Sequence, residues 1–451
     1  HGRYEGTIGF FEALLELGGL VPSVAVVSGP SFAGHASLAA SCDCIISTPG
    51  GVDFIGTIDG HPVVASSTDY SHHGGGYGAG NLARLFALAQ QERWPVVLFV
   101  DGGGSQAQTL DGPGTPVEGL HGRYEGTIGF FEALLELGGL VPSVAVVSGP
   151  SFAGHASLAA SCDCIISTRG SAIGMGGPPM VEAAFGLRLR PTELGPVEMH
   201  EASGGIDLLL DDESAAIAAV RRYLSYYYDL PAGDASPSLR EIRDLVPDVG
   251  PYEMRRVIEA LVDAESFFEL RPAFAAALIT GFARIEGRAV GVIANQPLAP
   301  GGGAIDQAAA NKLARFVQLC DVYALPVLSL IDTPGFAVSL NGQEGAVPGM
   351  TRHHARPLRA QHHRSVPLFC IQIGRARELG AAAMAGSGRT QALPLLRLGW
   401  PTAELNGRDP FWPGLDDVID PAETRDRLAR ALRLLRRPPP AERPRRVRDV
   451  W

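Results

Sequence analysis

The residues best placed to do chemistry in this chain are glycines. Pro300-Gly301-Gly302-Gly303 and Asp332-Thr333-Pro334-Gly335-Phe336 follow two apolar runs, Gly287–Ala294 and Leu325–Ile331. Without a Cβ, such turns let a ligand approach the main chain closely. Side-chain chemistry is thinner. No Ser-His-Asp or paired-carboxylate arrangement stands out. The pairs His72-His73, His353-His354 and His362-His363 are adjacent residues. On a strand such neighbours point to opposite faces, and on a helix they diverge by about 100°, so neither spacing makes a chelate. None of the six cysteines forms a CxxC pair. The thiols therefore read as buried and reduced, and no metal site is expected.

The elements that must position the turns are legible. The two apolar runs read as buried strands, and between them Ala310, Leu313, Ala314, Val317 and Cys320 recur at helical spacing. A βαβ unit with a right-handed crossover follows. Further strands are predicted at 61–65, 95–100, 143–147 and 164–166, and helices at 81–91, 127–137 and 214–226. A Pro-, Asp- and Ser-rich linker covers 231–250. Leu428, Leu432 and Leu435 form one stripe of a docking helix over 424–435. The tail, 438–451, is basic and Pro-rich and reads as disordered or as contact for an acidic partner.

Residues 1–48 repeat 121–168 letter for letter. Diverged structural repeats do not stay identical, so the first copy is an artefact or an extra segment and the second is the native one. The remainder divides into halves at 49–235 and 236–437. Val141–Ile166 and Ser365–Arg389 share one layout, an apolar strand, a small-residue turn and an Ala-rich helix. At 451 residues two or three domains are expected. A net charge of −11 argues against nucleic acid. No apolar run reaches membrane-spanning length, and the opening lacks a signal-peptide pattern, so a cytoplasmic location is expected.

The stretch Gly287–Phe336 resembles the carboxyltransferase (beta) subunits of biotin-dependent acyl-CoA carboxylases of the propionyl-CoA and acetyl-CoA type. The matching residues include Asn295-Gln296-Pro297, Asp306, Lys312, Arg315-Phe316-Val317, Cys320-Asp321 and Asp332 with Pro334-Gly335-Phe336. The resemblance runs from Gly56 to about Arg436. It implies an α/β chain of two crotonase-like halves, each a spiral of ββα units. It also implies the activity: a carboxyl group passes from carboxybiotin on a carrier protein to the α-carbon of an acyl-CoA. The 49–235 half would take the acyl-CoA and the 236–437 half the biotin. Backbone N–H pairs at two turns would stabilise the two enolate-like oxygens. By position these are Ala153 and Gly154 in the first half, Gly380 and Ala381 in the second. Gly102, Gly103, Gly104, Ser151, Phe152, His155 and Ala383 would line the acyl-CoA site, and Gly335, Phe336, Arg375 and Leu379 the biotin side.

Biotin is joined to a Lys flanked by Met on a β-turn in this family. Lys312 is the sole lysine and stands as Asn-Lys-Leu. A separate biotin carboxyl carrier protein, together with biotin carboxylase, is therefore the expected partner of a dimer or hexamer. Several residues depart from the family pattern. Glu378-Leu379 replaces Tyr-Gly, and Gly102 and Gln106 replace the Ser and Arg of Asp-Ser-Gly-Gly-Ala-Arg. His155 replaces an Ala, which places a polar ring at the mouth of the first hole. Two other readings stay open: a biotin-linked decarboxylase of malonyl-type CoA esters, and a non-catalytic scaffold that binds acyl-CoA.

Overall fold

The computed structural model describes residues 51–68, 79–103, 131–231, 233–234, 236–338, 350–386, 394–404 and 414–443, with two further backbone strands, Val24–Val26 and Cys44–Thr48. The expected sites at Gly104 and His72-His73 lie outside the described residues. Two compact units divide the chain. The first comprises 1–200 and 208–221, the second 201–207 and 222–451. The linker expected over 231–250 thus belongs to the second unit.

The first unit is built on β1 (Val24–Val26), β2 (Cys44–Thr48), β3 (Gly51–Ile58), β4 (His61–Thr68), β5 (Val96–Phe99), β6 (Ser143–Val147), β8 (Cys164–Thr168) and β10 (Leu208–Leu210), in that spatial order. A separate parallel pair, β7 (Pro150–Phe152) and β9 (Ala172–Gly174), lies beyond β6. The second unit has β11 (Phe268–Leu270), β12 (Leu278–Ile285), β13 (Arg288–Asn295), β14 (Val327–Thr333), β15 (Leu368–Ala376), β16 (Leu396–Gly399) and β17 (Asp417–Val418), also in chain order.

The two sheets follow one plan. An antiparallel hairpin, β3–β4 or β12–β13, is followed by parallel strands only. Both hairpins turn on two residues with positive φ, Asp59-Gly60 and Glu286-Gly287. That is the two-residue turn whose twist matches paired strands. The parallel steps carry helices: α1 (Ala79–Glu92), α2 (Gly154–Ser161), α3 (Pro178–Phe185), α4 (Gln307–Val322), α5 (Glu378–Ala385) and α6 (Thr424–Leu434). The predicted βαβ unit is β13–α4–β14, with β13 and β14 parallel. Asp306 caps α4 by accepting from Ala309 N at 2.8 Å.

The duplicated segment repeats its pairing. β1 lies parallel to β2 with Val24 opposite Cys44, as β6 lies beside β8 with Val144 opposite Cys164. β2 then joins the free edge of β3. The start of the tail is ordered. Arg443 stacks on the Tyr227 ring at 4.4 Å, and Arg437 bonds Asp229 at 2.9 Å and the Tyr226 and Tyr323 carbonyls. Residues 438–443 are therefore docked rather than disordered, because these guanidinium groups find buried acceptors; 444–451 lie outside the described residues.

Lys312 is buried in α4, and its Nζ donates to the carbonyls of Arg271, Phe274 and Leu278 at 2.7–2.8 Å. Burial pushes its ammonium down to about 7. Lys312→Met leaves three carbonyls without this donor and is expected to cost about 2–4 kcal/mol in chemical denaturation. The sign with pH follows from the lowered value. Below about 7 both folded and unfolded chains hold the proton. Between about 7 and the ordinary 10.5 only the unfolded chain does. Wild-type stability relative to Lys312→Met should therefore rise with pH across that window; a flat or falling difference contradicts the assignment.

Candidate functional site

Each unit ends two neighbouring parallel strands in the same corner. In the first unit β5 runs into Asp101, whose carboxylate accepts from Ser148 N at 3.0 Å, Gly149 N at 2.9 Å and Ser148 Oγ at 2.8 Å. Those groups belong to the turn after β6. In the second unit β14 ends in Asp332. Its Oδ1 accepts from Arg375 N at 3.1 Å and Arg375 Nε at 2.8 Å, at the end of β15. Arg375 also reaches the Gly302 carbonyl at 2.7 Å. The Asp332 carboxylate lies so close to Gly374 that a Cβ there would fall 2.5 Å from Oδ2. Tyr252 stands beside it; burial first, and then the Asp332 charge, push that phenol well above its ordinary range and keep it neutral. Asn295 Oδ1 accepts from Asp332 N at 3.2 Å, and Thr333 Oγ1 donates to the Gly303 carbonyl at 2.8 Å.

Past each brace the chain makes a tight turn into a short helix. The turn residue is non-glycine with positive φ in both units, Ala153 at 50° and Glu378 at 53°. Such a residue carries roughly 1–3 kcal/mol of backbone strain that surrounding contacts must hold in place. Gly380, in the first turn of α5, packs directly on the Gly335-Phe336 peptide. A Cβ at 380 would meet Gly335 Cα at 2.6 Å and Phe336 N at 3.0 Å. Gly335 itself sits at φ +117°. The Phe336 ring meets the edge of His354 at 5.7 Å.

Two of the four expected N–H donors are engaged. Ala153 N donates to the Gly174 carbonyl at 3.0 Å, and Ala381 N donates to Arg377 O at 3.1 Å as the first intrahelical bond of α5. In α2 that first bond is Ser157 N to Ala153 O. The amides of Gly154, Leu379 and Gly380 precede these bonds and have no acceptor within their helices. They lie at the positive ends of the helix dipoles, where anionic oxygen is favoured.

The other expected residues separate into two groups. Gly102, Gly103 and His155 gather at the first corner, and Gly335, Phe336, Arg375 and Leu379 at the second. Ser151 and Phe152 are fully buried beneath the first turn. Ala383 is also fully buried, on the inward side of α5, and its carbonyl accepts from Gln361 at 3.1 Å. It offers no surface to a ligand. Arg375 is held by Asp332 and Gly302, so it braces the turn. Asp101 and Asp332 are legible in the pattern only as members of the Gly-rich loops, and their bracing role is not read from it. Their signal was present in both halves, an Asp closing an apolar strand just before a Gly-rich turn. Of the His pairs, His353 bonds Asn311 at 2.8 Å and Gln307 at 2.9 Å, and His354 bonds the Met350 carbonyl. Among the described residues no group of His, Cys, Asp or Glu is arranged to hold a metal. No described helix is long and apolar enough to cross a membrane.

Two sheets of one plan, each leading into a short helix at a braced corner, are the arrangement that the crotonase-like, two-domain carboxyltransferases among this chain's structural neighbours share. The chain belongs to the carboxyl transferase domain family, which matches residues 50–407. It is 31% identical over 433 residues to the propionyl-CoA carboxylase beta chain of Roseobacter denitrificans, covering 84% of this chain and 82% of that one. It superposes with TM-score 0.73 and 30% identity on the transcarboxylase 12S hexamer solved with hydrolyzed methylmalonyl-coenzyme A, covering 86% of this chain and 83% of that one. A single-chain, multi-domain long-chain acyl-CoA carboxylase matches with TM-score 0.74 and 33% identity over 91% of this chain, which spans 44% of that longer protein.

Gly380→Ala would drive a methyl group into the Gly335-Phe336 peptide and displace the first turn of α5. Its carboxyltransfer kcat is expected to fall about 10²-fold or more, the usual cost of one lost oxyanion donor. Asp332→Asn should weaken the Arg375 brace and lower both kcat and Tm. Full kcat in either folded variant would show that the second corner takes no part in turnover.

Proposed function

We propose that this chain transfers a carboxyl group between biotin on a separate carrier protein and the α-carbon of a CoA thioester. The observation that carries the reading is the repeated corner: a carboxylate-braced turn leading into a helix whose first amides have no acceptor within the helix, once per unit. The chemistry needs such donors. As the α-carbon exchanges a proton for CO₂, negative charge passes through the thioester oxygen. The Gly154 amide is the donor suited to that oxygen in the first unit. Leu379 and Gly380 are suited to the ureido oxygen of biotin in the second, where Gly380 packs on the Gly335-Phe336 main chain with no side chain between them. Carboxybiotin, when bound, supplies the carboxyl group. Fixed donors of this kind need no reorganisation as charge develops. The likeness to the propionyl-CoA carboxylase beta chain and to a 12S protein solved with a CoA ester supports the same substrate class. It also supports biotin carboxylase and a biotinylated carrier as partners.

The active form is a homo-oligomer. Helix α3 buries none of its residues within the chain. Met175, Met180, Phe185, Leu187 and Met199 are exposed on the first unit, Phe185 to 74%. So many large apolar side chains mark a contact surface, and a second copy is the occupant that the 12S hexamer supports.

The reverse half-reaction tests the assignment. The full chain with biocytin should remove the carboxyl group of malonyl-CoA or methylmalonyl-CoA in a biocytin-dependent manner. Phe185→Asp should lower the oligomeric state in sedimentation and reduce that rate about tenfold or more. No turnover with any ester, from a folded oligomer, would instead leave an acyl-CoA-binding scaffold.

A further inference from the structure

Helix α2 is Gly154-His155-Ala156-Ser157-Leu158-Ala159-Ala160-Ser161, small or aliphatic except for one imidazole. His155 is only 4% exposed. Its ring lies flat against the Cα of Gly102. A Cβ built on Gly102 would meet ring atoms Cε1, Nε2 and Nδ1 at 2.3, 2.4 and 2.6 Å. No side chain at 102 is compatible with that ring position. The strand cannot yield either, because Gly102 N donates to the Pro150 carbonyl at 2.6 Å and its own carbonyl accepts from Phe152 N at 2.8 Å. The ring is thus wedged between a strand end that is fixed on both sides and the first turn of α2. It is carried by the residue next to Gly154. Two of the departures from the family pattern at this corner, Gly for Ser at 102 and His for Ala at 155, are the partners of this one contact.

We infer that His155 is a specificity-determining residue, its imidazole filling space beside the Gly154 amide and setting the upper size of the acyl group admitted there, with Gly102 left bare to accommodate it. This rests on the reading of the first corner as the thioester site. Trimming the ring removes its cover from Gly102. Adding a side chain at 102 while the ring remains forces the ring out of place.

The test is a double-mutant cycle in the full chain: His155→Ala, Gly102→Ser and the pair together. Two readouts are used, the dissociation constants for propionyl-CoA and octanoyl-CoA, and Tm. His155→Ala should shift the octanoyl-to-propionyl affinity ratio toward octanoyl-CoA by about tenfold or more, the scale at which pockets discriminate by methylenes. Gly102→Ser alone should lower Tm by several degrees and weaken both thioesters. In the His155→Ala background the same serine should lower Tm little and reverse the gain for octanoyl-CoA. An unchanged affinity ratio in His155→Ala, with both thioesters still bound, overturns the inference while leaving the proposed function standing. Equal Tm losses from Gly102→Ser in both backgrounds also overturn it, since the two residues would then not be packed together. If the wild-type chain binds neither thioester, the reading of the first corner falls and takes this inference with it.

Discussion

A carboxylate at the end of one parallel strand, holding the backbone of the turn that follows the next, is the interaction on which the rest of the structure depends. Asp101 holds Ser148 and Gly149, and Asp332 holds Arg375. Parallel strands end side by side but their exits are otherwise free to splay. An aspartate there bridges neighbouring exits with charge-assisted hydrogen bonds, which are about twice as strong as neutral ones. Once the exits are fixed, the positive-φ residue, the short helix and its first-turn amides have little freedom left. The strain at Ala153 and Glu378 is therefore held by a brace one turn upstream.

The corner also separates positioning from chemistry. The groups suited to touch reacting atoms are main-chain N–H donors, which no mutation of their own side chain removes. The groups that decide whether those donors are usable are side chains: Asp101, Asp332, Arg375 and the bare faces of Gly335 and Gly380. This is why a family can vary the residues around such a turn, as Glu378-Leu379 does here, and keep the donors. The limit is steric. Where the backbone approaches another backbone within van der Waals distance, as Gly380 does at Gly335, only glycine fits.

Much of this architecture was legible in the sequence. The βαβ unit, the strands at 143–147 and 164–166 (observed to 168) and the Leu428–Leu432 stripe followed from periodicity, because each buries one regular face. The turns that carry the site were legible as Gly-rich strand ends. Which amides lack an acceptor within their helix was not. Ala153 and Ala381 differ from Gly154 and Gly380 by a single residue, and the choice is made by where the first intrahelical bond falls, a matter of backbone geometry. Ala383 was misplaced for a similar reason, since helical phase turns it into the core. The docking of Arg437 and Arg443 was hidden because acceptors such as the Tyr226 and Tyr227 carbonyls lie more than 200 residues away in sequence. The duplicated segment shows the reverse case. β1 and β2 reproduce the register of β6 and β8 at another place, so this string carries its own local pairing wherever it is set.

Lys312 has one more consequence. It is the chain's sole lysine, and its amine is enclosed with its donors occupied. The folded chain therefore presents no exposed lysine ε-amine. Enzymes and reagents specific for lysine ε-amines find no accessible target on its folded surface. Covalent labelling at Lys312 becomes an intrinsic reporter of how often α4 leaves its sheet, a chemical clock for opening that requires no added probe.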